Sequence, residues 1–438
     1  MKKCNIEATD ENILNSIRND KLQRSLDVKD FLMMIDTIDY NAFISVDATW
    51  GDGKTFFVRQ TEMTMKYYNK KEFEKEITEQ ELQTFQANGV LENLELKHTY
   101  LPIYFDAWLY DNHANALMAL LMVVIKQSGK FVNTTLTSSK VEKITAVLDS
   151  IQFWKSDNWS NLSEKFKGKD ILEETLLLED IRQMVKEIFE DILAENAEKL
   201  VVFIDELDRC RPTFAIEILE SVKHYFDDEK IIFVMSVNKA ELIHTISKYY
   251  GNEFNSSVYL NKFFDISFQL PKADANAYFN SLGISCGDSY YIKKIASELQ
   301  KYYSMSLRDS TKYLQKIGLI HEKYQERDDD MWRVMVLFIP VLCALDIVNV
   351  TKQQKLLSGD GFNILEELIE NNETMRKYVL RLGEKSDNNG TSYSAGLEEL
   401  KRIYEFGFGK SSNYGWYTGR LIIQADLRNL CLRICNSV

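Results

Sequence analysis

Proline is scarce in this chain, with 4 among 438 residues. Proline breaks helix interiors, so its scarcity beside abundant Leu, Ile, Glu and Lys points to a largely helical protein with few rigid loops. Cysteine and histidine are also rare, 6 and 5. Cys4, Cys210, Cys286, Cys343, Cys431 and Cys435 form no Cys-x-x-Cys pair, and the histidines stand at no metal-ligand spacing. That argues against a zinc framework and fits reduced thiols in a cytoplasmic protein. Long apolar runs are missing. Val334 to Leu345 is the longest, bounded by Arg333 and Asp346 and carrying Pro340, and it falls short of the roughly 20 residues a bilayer span needs. Ala116 to Ile125 is shorter still. Both read as buried core helices, with no membrane span expected. The first twenty residues hold no apolar core between basic and polar ends, so no signal peptide and no export are expected. Positive charge is short as well, 53 Lys plus Arg against 66 Asp plus Glu, for a net charge of −13. This argues against a broad surface for nucleic acid or anionic lipid and leaves only a local basic groove for such partners.

What is present is ordinary globular material, 45% hydrophobic and 27% charged, enough for two or three domains. Short apolar strands are expected at Ala42–Val46, Tyr100–Phe105, Leu200–Ile204, Ile231–Val237 and Asp265–Leu270. Helical patterns separate them: Asp27–Asp36 with Asp27 as its N-cap, Lys54 onward, Ala114–Lys126, Thr213–Phe226 and Lys239–Tyr249. Polar helical excursions are expected at about 70–97 and 130–195. Alternating strands and helices predict an α/β fold with a mostly parallel sheet covered on both faces. After Pro271 the strands stop. The expected domains are residues 1–271, a helical bundle at 272–383 and a C-terminal helical extension at 384–438 that ends in an amphipathic helix, Gly419–Cys435. Cys431 and Cys435, four apart on that helix, read as buried small hydrophobes rather than a strained disulfide.

At the end of the first strand stands Ala48-Thr49-Trp50-Gly51-Asp52-Gly53-Lys54-Thr55. It fits the phosphate-loop pattern GxxxxGK[ST] at every fixed position except the first, where Ala48 needs only to be small. A loop that cradles phosphate must turn sharply after a strand, aim successive N–H groups inward and deliver the anion to a helix N-terminus. Gly51 and Gly53 supply the required backbone freedom, Lys54 a charge for the β/γ-phosphates and Thr55 a hydroxyl for Mg²⁺. A second GxGKS, Gly407 to Ser411, follows a helical pattern instead of a strand and reads as a loop.

The third strand ends in Asp205-Glu206, at the sheet edge where open α/β folds bind ligands. Asp205 is suited to hold hydrated Mg²⁺ and Glu206 to polarise an attacking water. Trp108, next to a strand end, is expected to wedge a helix against the sheet.

These residues together resemble the KAP family of P-loop NTPases. The likeness rests on Trp50 inside the loop, on Phe105-Asp106-Ala107-Trp108-Leu109-Tyr110, on Asp205-Glu206-Leu207-Asp208-Arg209-Cys210 with Pro212, and on Tyr259 to Phe263 leading to Phe268-Gln269-Leu270-Pro271. It covers about residues 22 to 320. It implies an ATPase of the additional-strand P-loop type using ATP and Mg²⁺, usually bacterial and often tied to phage exclusion or other mobile-element conflict. A homo-oligomer is the expected assembly, and in the alternative reading, a nucleotide-gated scaffold with negligible turnover, the partner is a separate effector protein. Many relatives carry transmembrane helices between the two motifs; here the corresponding insertions are polar. Three further positions carry over with alternatives open. Asn238 is a γ-phosphate sensor or a helix N-cap. Arg209 is an arginine finger or an ion-pair partner of Asp208 or Glu206. Arg308 is a second sensor or a solvated helix charge.

Overall fold

The computed structural model describes residues 7–131, 182–273, 290–323, 329–386 and 392–408, apart from residues 21, 114, 184 and 195, and two short strands at 416–417 and 420–421. It divides into two compact units, residues 7–273 and residues 274–438.

The first unit is built on five strands: β1 (Ala42–Asp47), β2 (Tyr100–Asp106), β3 (Lys199–Asp205), β4 (Ile231–Val237) and β5 (Ile266–Gln269). All pair in parallel, in the order β2-β3-β4-β1-β5. β4 is thus inserted between the loop-bearing β1 and the acid-tipped β3, the additional-strand arrangement of P-loop folds. Successive side chains of a strand point to opposite faces, and here each face is buried. Phe43, Ile103, Val202 and Phe233 pack on one side, whereas Ile44, Val46, Val201, Phe203 and Val234 pack on the other.

Helices cover both faces. On the second face lie α1 (Asp10–Asn19), α2 (Ser25–Asp36) and α3 (Lys54–Glu72), through Ile13, Phe31, Phe57 and Met65. α4 (Glu79–Ala87) and α5 (Gly89–Glu92) follow α3, and α6 (Ala116–Phe131), the helical residues 185–193, α7 (Pro212–Tyr225) and α8 (Lys239–Tyr250) cover the first face through Leu120, Phe189, Leu219 and Leu242. The chain therefore leaves β1 toward one face and its neighbour β4 toward the other. Such a switch point opens a crevice at the carboxyl ends of the strands, the usual ligand site of an open α/β sheet.

Several local expectations are corrected. α2 begins at Ser25, not at Asp27; the Asp20 carboxylate accepts hydrogen bonds from the Arg24 and Ser25 N–H groups at 2.9 and 3.2 Å and so caps it. Residues 70–97 are no free excursion, because Phe85, Leu91 and Leu94 are buried in the main core. Of the 130–195 segment, Val185, Ile188 and Phe189 likewise pack against the sheet, and residues 132–181 lie outside the described residues.

The described residues of the second unit up to 408 are mostly helical. Its centre is the helix Asp329–Val348, whose run from Val336 to Leu345 is buried and whose Pro340 carbonyl accepts a hydrogen bond from the Tyr313 hydroxyl at 3.0 Å. Among the described residues no helix is long and apolar enough to cross a membrane. The helices Glu373–Ser386 and Tyr393–Phe408 approach so closely that a methyl group on Gly396 would meet the Val379 carbonyl oxygen at 2.0 Å. Gly407 and Phe408 belong to that last helix rather than to a loop; Gly409, Lys410 and Ser411 lie outside the described residues, as do Cys431 and Cys435. The expected helix at Gly419–Cys435 is also corrected at its start. Arg420–Leu421 pairs antiparallel with Trp416–Tyr417, and in the sequence only Thr418 and Gly419 separate them, a spacing that favours a hairpin over a helix.

Phe57, on the first turn of α3, is wholly buried between Phe31 and Phe268, with ring centroids 5.3 and 5.6 Å away. Phe57→Ala is expected to cost about 3–5 kcal/mol, the range for truncating a buried phenylalanine, measured as the change in free energy of denaturant unfolding of the full chain.

Candidate nucleotide-binding site

β1 ends at Asp47 and the chain turns at once. The Ala48 N–H donates to the Val237 carbonyl of β4 at 3.3 Å, which pins the start of the loop to the neighbouring strand. Gly51 and Gly53 have φ of 92° and 86°, a region that disfavours any side chain, and Gly53 opens α3 as its N-cap. Thr49 Oγ1 donates to Asp52 Oδ2 at 2.5 Å across the turn. Lys54 is buried, and its Nζ donates to the loop's own carbonyls, Ala48 O at 2.8 Å and Thr49 O at 3.4 Å. A cation is thereby held in the concavity of the loop, beside the N–H groups of the first turn of α3, which have no partner within the helix.

β3 delivers Asp205 to the same edge. It is 1% exposed, and burial pushes its carboxyl pKa above the usual range, opposed by the nearby Ser236 and Thr55 hydroxyls and by the Tyr104 hydroxyl and Glu206 N–H. Tyr104 Oη donates to Oδ2 at 2.9 Å and the Glu206 N–H to Oδ1 at 2.9 Å. Thr55 thus sets the end of the loop after β1 near the tip of β3. Because β4 stands between them, it must be small where they meet, and Ser236 is.

Glu206 follows in a left-handed conformation, φ 59°, which is costly for a residue with a Cβ and typical of functional positions. Burial and then the neighbouring Asp205 charge raise its pKa to about 7, against Arg209 and Lys54. Arg209 Nε lies 2.6 Å from Glu206 Oε2. Of the two readings of Arg209, the ion pair within its own chain is the one formed, and with Glu206 instead of Asp208. Asp208 accepts from the Trp50 Nε1–H instead. The Arg209 guanidinium also lies 5.8 Å from the ring centre of Trp108. Trp108 is no helix wedge: it is 57% exposed, because the turn after β2 projects it over the acidic loop. Arg211 binds Asp111 and ties those two loops together.

Asn238 comes directly after β4, next to Ala48, and accepts from the Glu241 N–H at 3.5 Å, capping α8. Arg308 belongs to the helical unit, exposed on the first turn of the helix Leu307–Lys323. The first unit thus gathers Ala48 to Thr55, Asp205, Glu206, Arg209 and Asn238 at one sheet edge, and Arg308 is not among them.

Two contributors escape a reading of the sequence. Tyr104 carries a faint signal, a hydroxyl-bearing residue two positions before Asp106 in a buried strand. The buried Arg24 carries none, since its contact with the loop bridges 28 positions. Asp208 stands in the acidic motif, but its partner is Trp50, 158 positions away.

Residues 24–379 match the KAP family P-loop domain. The chain belongs to this family. Its match spans both the loop and the acidic strand tip, so this KAP member is a P-loop NTPase by family and by fold. It is also similar to an uncharacterized protein of Methanocaldococcus jannaschii, 27% identical over a stretch covering 32% of this chain and 97% of that protein.

The Glu206 pKa gives a pH dependence. The folded state binds this proton more tightly than the unfolded chain, whose carboxyl titrates near 4.5; stability from the group is present below about 4.5 and lost as pH rises through about 7. Glu206→Gln, which mimics the protonated form, is expected to unfold at higher temperature than the parent chain at pH 8, with the gap shrinking toward pH 5. Thermal unfolding at several pH values checks this.

Proposed function

We propose that this KAP protein binds ATP with Mg²⁺ at the β1–β4 crevice, hydrolyses it slowly and works as a conformational or assembly switch. The observation that carries the reading is that the sheet brings a glycine loop holding the buried Lys54 and the buried Asp205 carboxylate to the same edge, one strand apart. A hydroxyl and a carboxylate are hard oxygen donors of the kind Mg²⁺ prefers, so Thr55 and Asp205 fit the metal and would hold it. When bound, Mg²⁺ offsets charge on the β- and γ-phosphates.

The protein's own groups do the rest. Lys54 exchanges its two loop carbonyls for phosphate oxygens, and the N–H groups of Gly51, Gly53, Lys54 and Thr55 donate to the remaining ones. Glu206 places the attacking water and takes its proton. Since it is near half-protonated at neutral pH and paired with Arg209, it is a weak base until that pair opens. That observation also favours a second reading, a nucleotide-gated scaffold with negligible turnover that recruits a separate effector. Asn238 borders the γ-phosphate position, and Arg209, released from Glu206, supplies positive charge there, in its own chain or a neighbour's within a homo-oligomer. A role in bacterial anti-phage or mobile-element conflict rests on the family resemblance, and a cytoplasmic location on the reduced cysteines.

Lys54→Ala is expected to lose MgATP binding, and Glu206→Gln to bind MgATP normally while turnover falls at least about a hundredfold, the scale of losing a general base. Calorimetry and phosphate release separate the two. Normal hydrolysis by Glu206→Gln removes that residue from the chemistry, and specific activity that rises with protein concentration is expected if an arginine acts between copies.

A further inference from the structure

Arg24 precedes α2 and is 1% exposed. Its Nη2 donates to Asp52 O at 2.9 Å and to Pro271 O at 3.0 Å, and its Nη1 to Gly53 O at 3.3 Å. Burial draws the guanidinium pKa down to about 10, with the Asp27 and Asp52 carboxylates supporting the charge, so it is cationic at neutral pH.

Those acceptors matter because of peptide geometry. In a trans peptide the C=O and the following N–H point in opposite directions, and the chain has no cis bonds among the described residues. Carbonyls of Asp52 and Gly53 turned toward Arg24 therefore turn the N–H groups of Gly53 and Lys54 the other way, into the cradle. We propose that Arg24 is a positioning residue for the phosphate-binding loop: its fork fixes the Asp52–Gly53 peptide plane so that its donor faces the polyphosphate, adds a second hold on the Gly53 carbonyl that already accepts from the Phe57 N–H at 3.0 Å, and through Pro271 ties that loop to the end of β5. A fork is the suitable tool, since a guanidinium presents several donors in one plane whereas an ammonium is a point charge. Loops built on glycine leave such planes free to flip, so an external brace lowers the ordering cost of binding.

This inference rests on the nucleotide reading above, and the test separates the two. The full chain, Arg24→Met and Arg24→Lys are titrated with fluorescent MgATP and AMP analogues, and each is checked for cooperative unfolding. Expected is a fall in ATP affinity of roughly ten- to a hundredfold in Arg24→Met, the value of one misdirected N–H bond to a charged oxygen, a smaller fall in Arg24→Lys, and a distinctly smaller change for AMP in both. A general scaffolding role weakens ATP and AMP alike, and that outcome overturns the proposal, as does parental ATP affinity in Arg24→Met. Failure of the parent chain to bind either nucleotide overturns the nucleotide reading itself, and this inference with it. Should Arg24→Met not fold, Arg24→Lys decides, with parental ATP affinity counting against the fork.

Discussion

A carboxylate kept away from water is the constraint on which the site depends. Asp205 sits at the end of a fully buried strand, and its carboxylate accepts from a tyrosine on β2 and from the adjoining backbone N–H, with the Thr55 hydroxyl at the start of α3 nearby. Each of these groups belongs to a different element, so the arrangement requires α3, β2 and β3 to be in register at once. A buried acid left unpartnered is expensive.

The strain next door follows from this placement. Because β3 continues to its last residue inside the sheet, the chain has to reverse direction within one residue, and Glu206 takes the left-handed turn. The turn leaves its side chain beside Asp205, where like charge and burial hold a proton on it at pH values at which a free glutamate is ionised. Arg209 and Trp108 then close over it from two loops joined by Arg211 and Asp111. Acid, base and cation are therefore arranged by one short segment, 205 to 211, and its neighbour after β2.

Much of this was legible in the amino-acid order. Ile231–Val237 is read to the residue, and the other sheet strands to within a residue or two at their ends, because a centre strand of a parallel sheet is apolar on both faces and leaves an unbroken run. Glycines and Lys54 announce the phosphate loop for a backbone reason that no tertiary contact alters. What escaped notice is what depends on distance. Trp108 and Leu109 look like core residues yet stand exposed. Arg24 looks like a surface charge at a helix start, and only contacts to residues 28 and 247 positions away reveal it as buried. Arg420–Leu421 fits a helical period, but pairing across Thr418-Gly419 prevails over it. Asn238 could be read as cap or sensor, and local sequence cannot choose, because one side chain at a strand end serves either purpose.

The strand order has a further effect, on how the molecule comes into being. β1 is made early, but both of its neighbours in the sheet come late: Ala42 pairs with Ile232 and Ile44 with Ile266. Until more than half of the polypeptide has left the ribosome, this apolar strand has nothing to pair with, whereas β2 and β3 meet sooner. Non-local pairing of this kind slows folding and leaves sticky segments waiting. The phosphate loop, hung between β1 and β4, can therefore take shape only after residue 237 has emerged, so nucleotide engages a nascent chain late, as the last part of the sheet closes around the first.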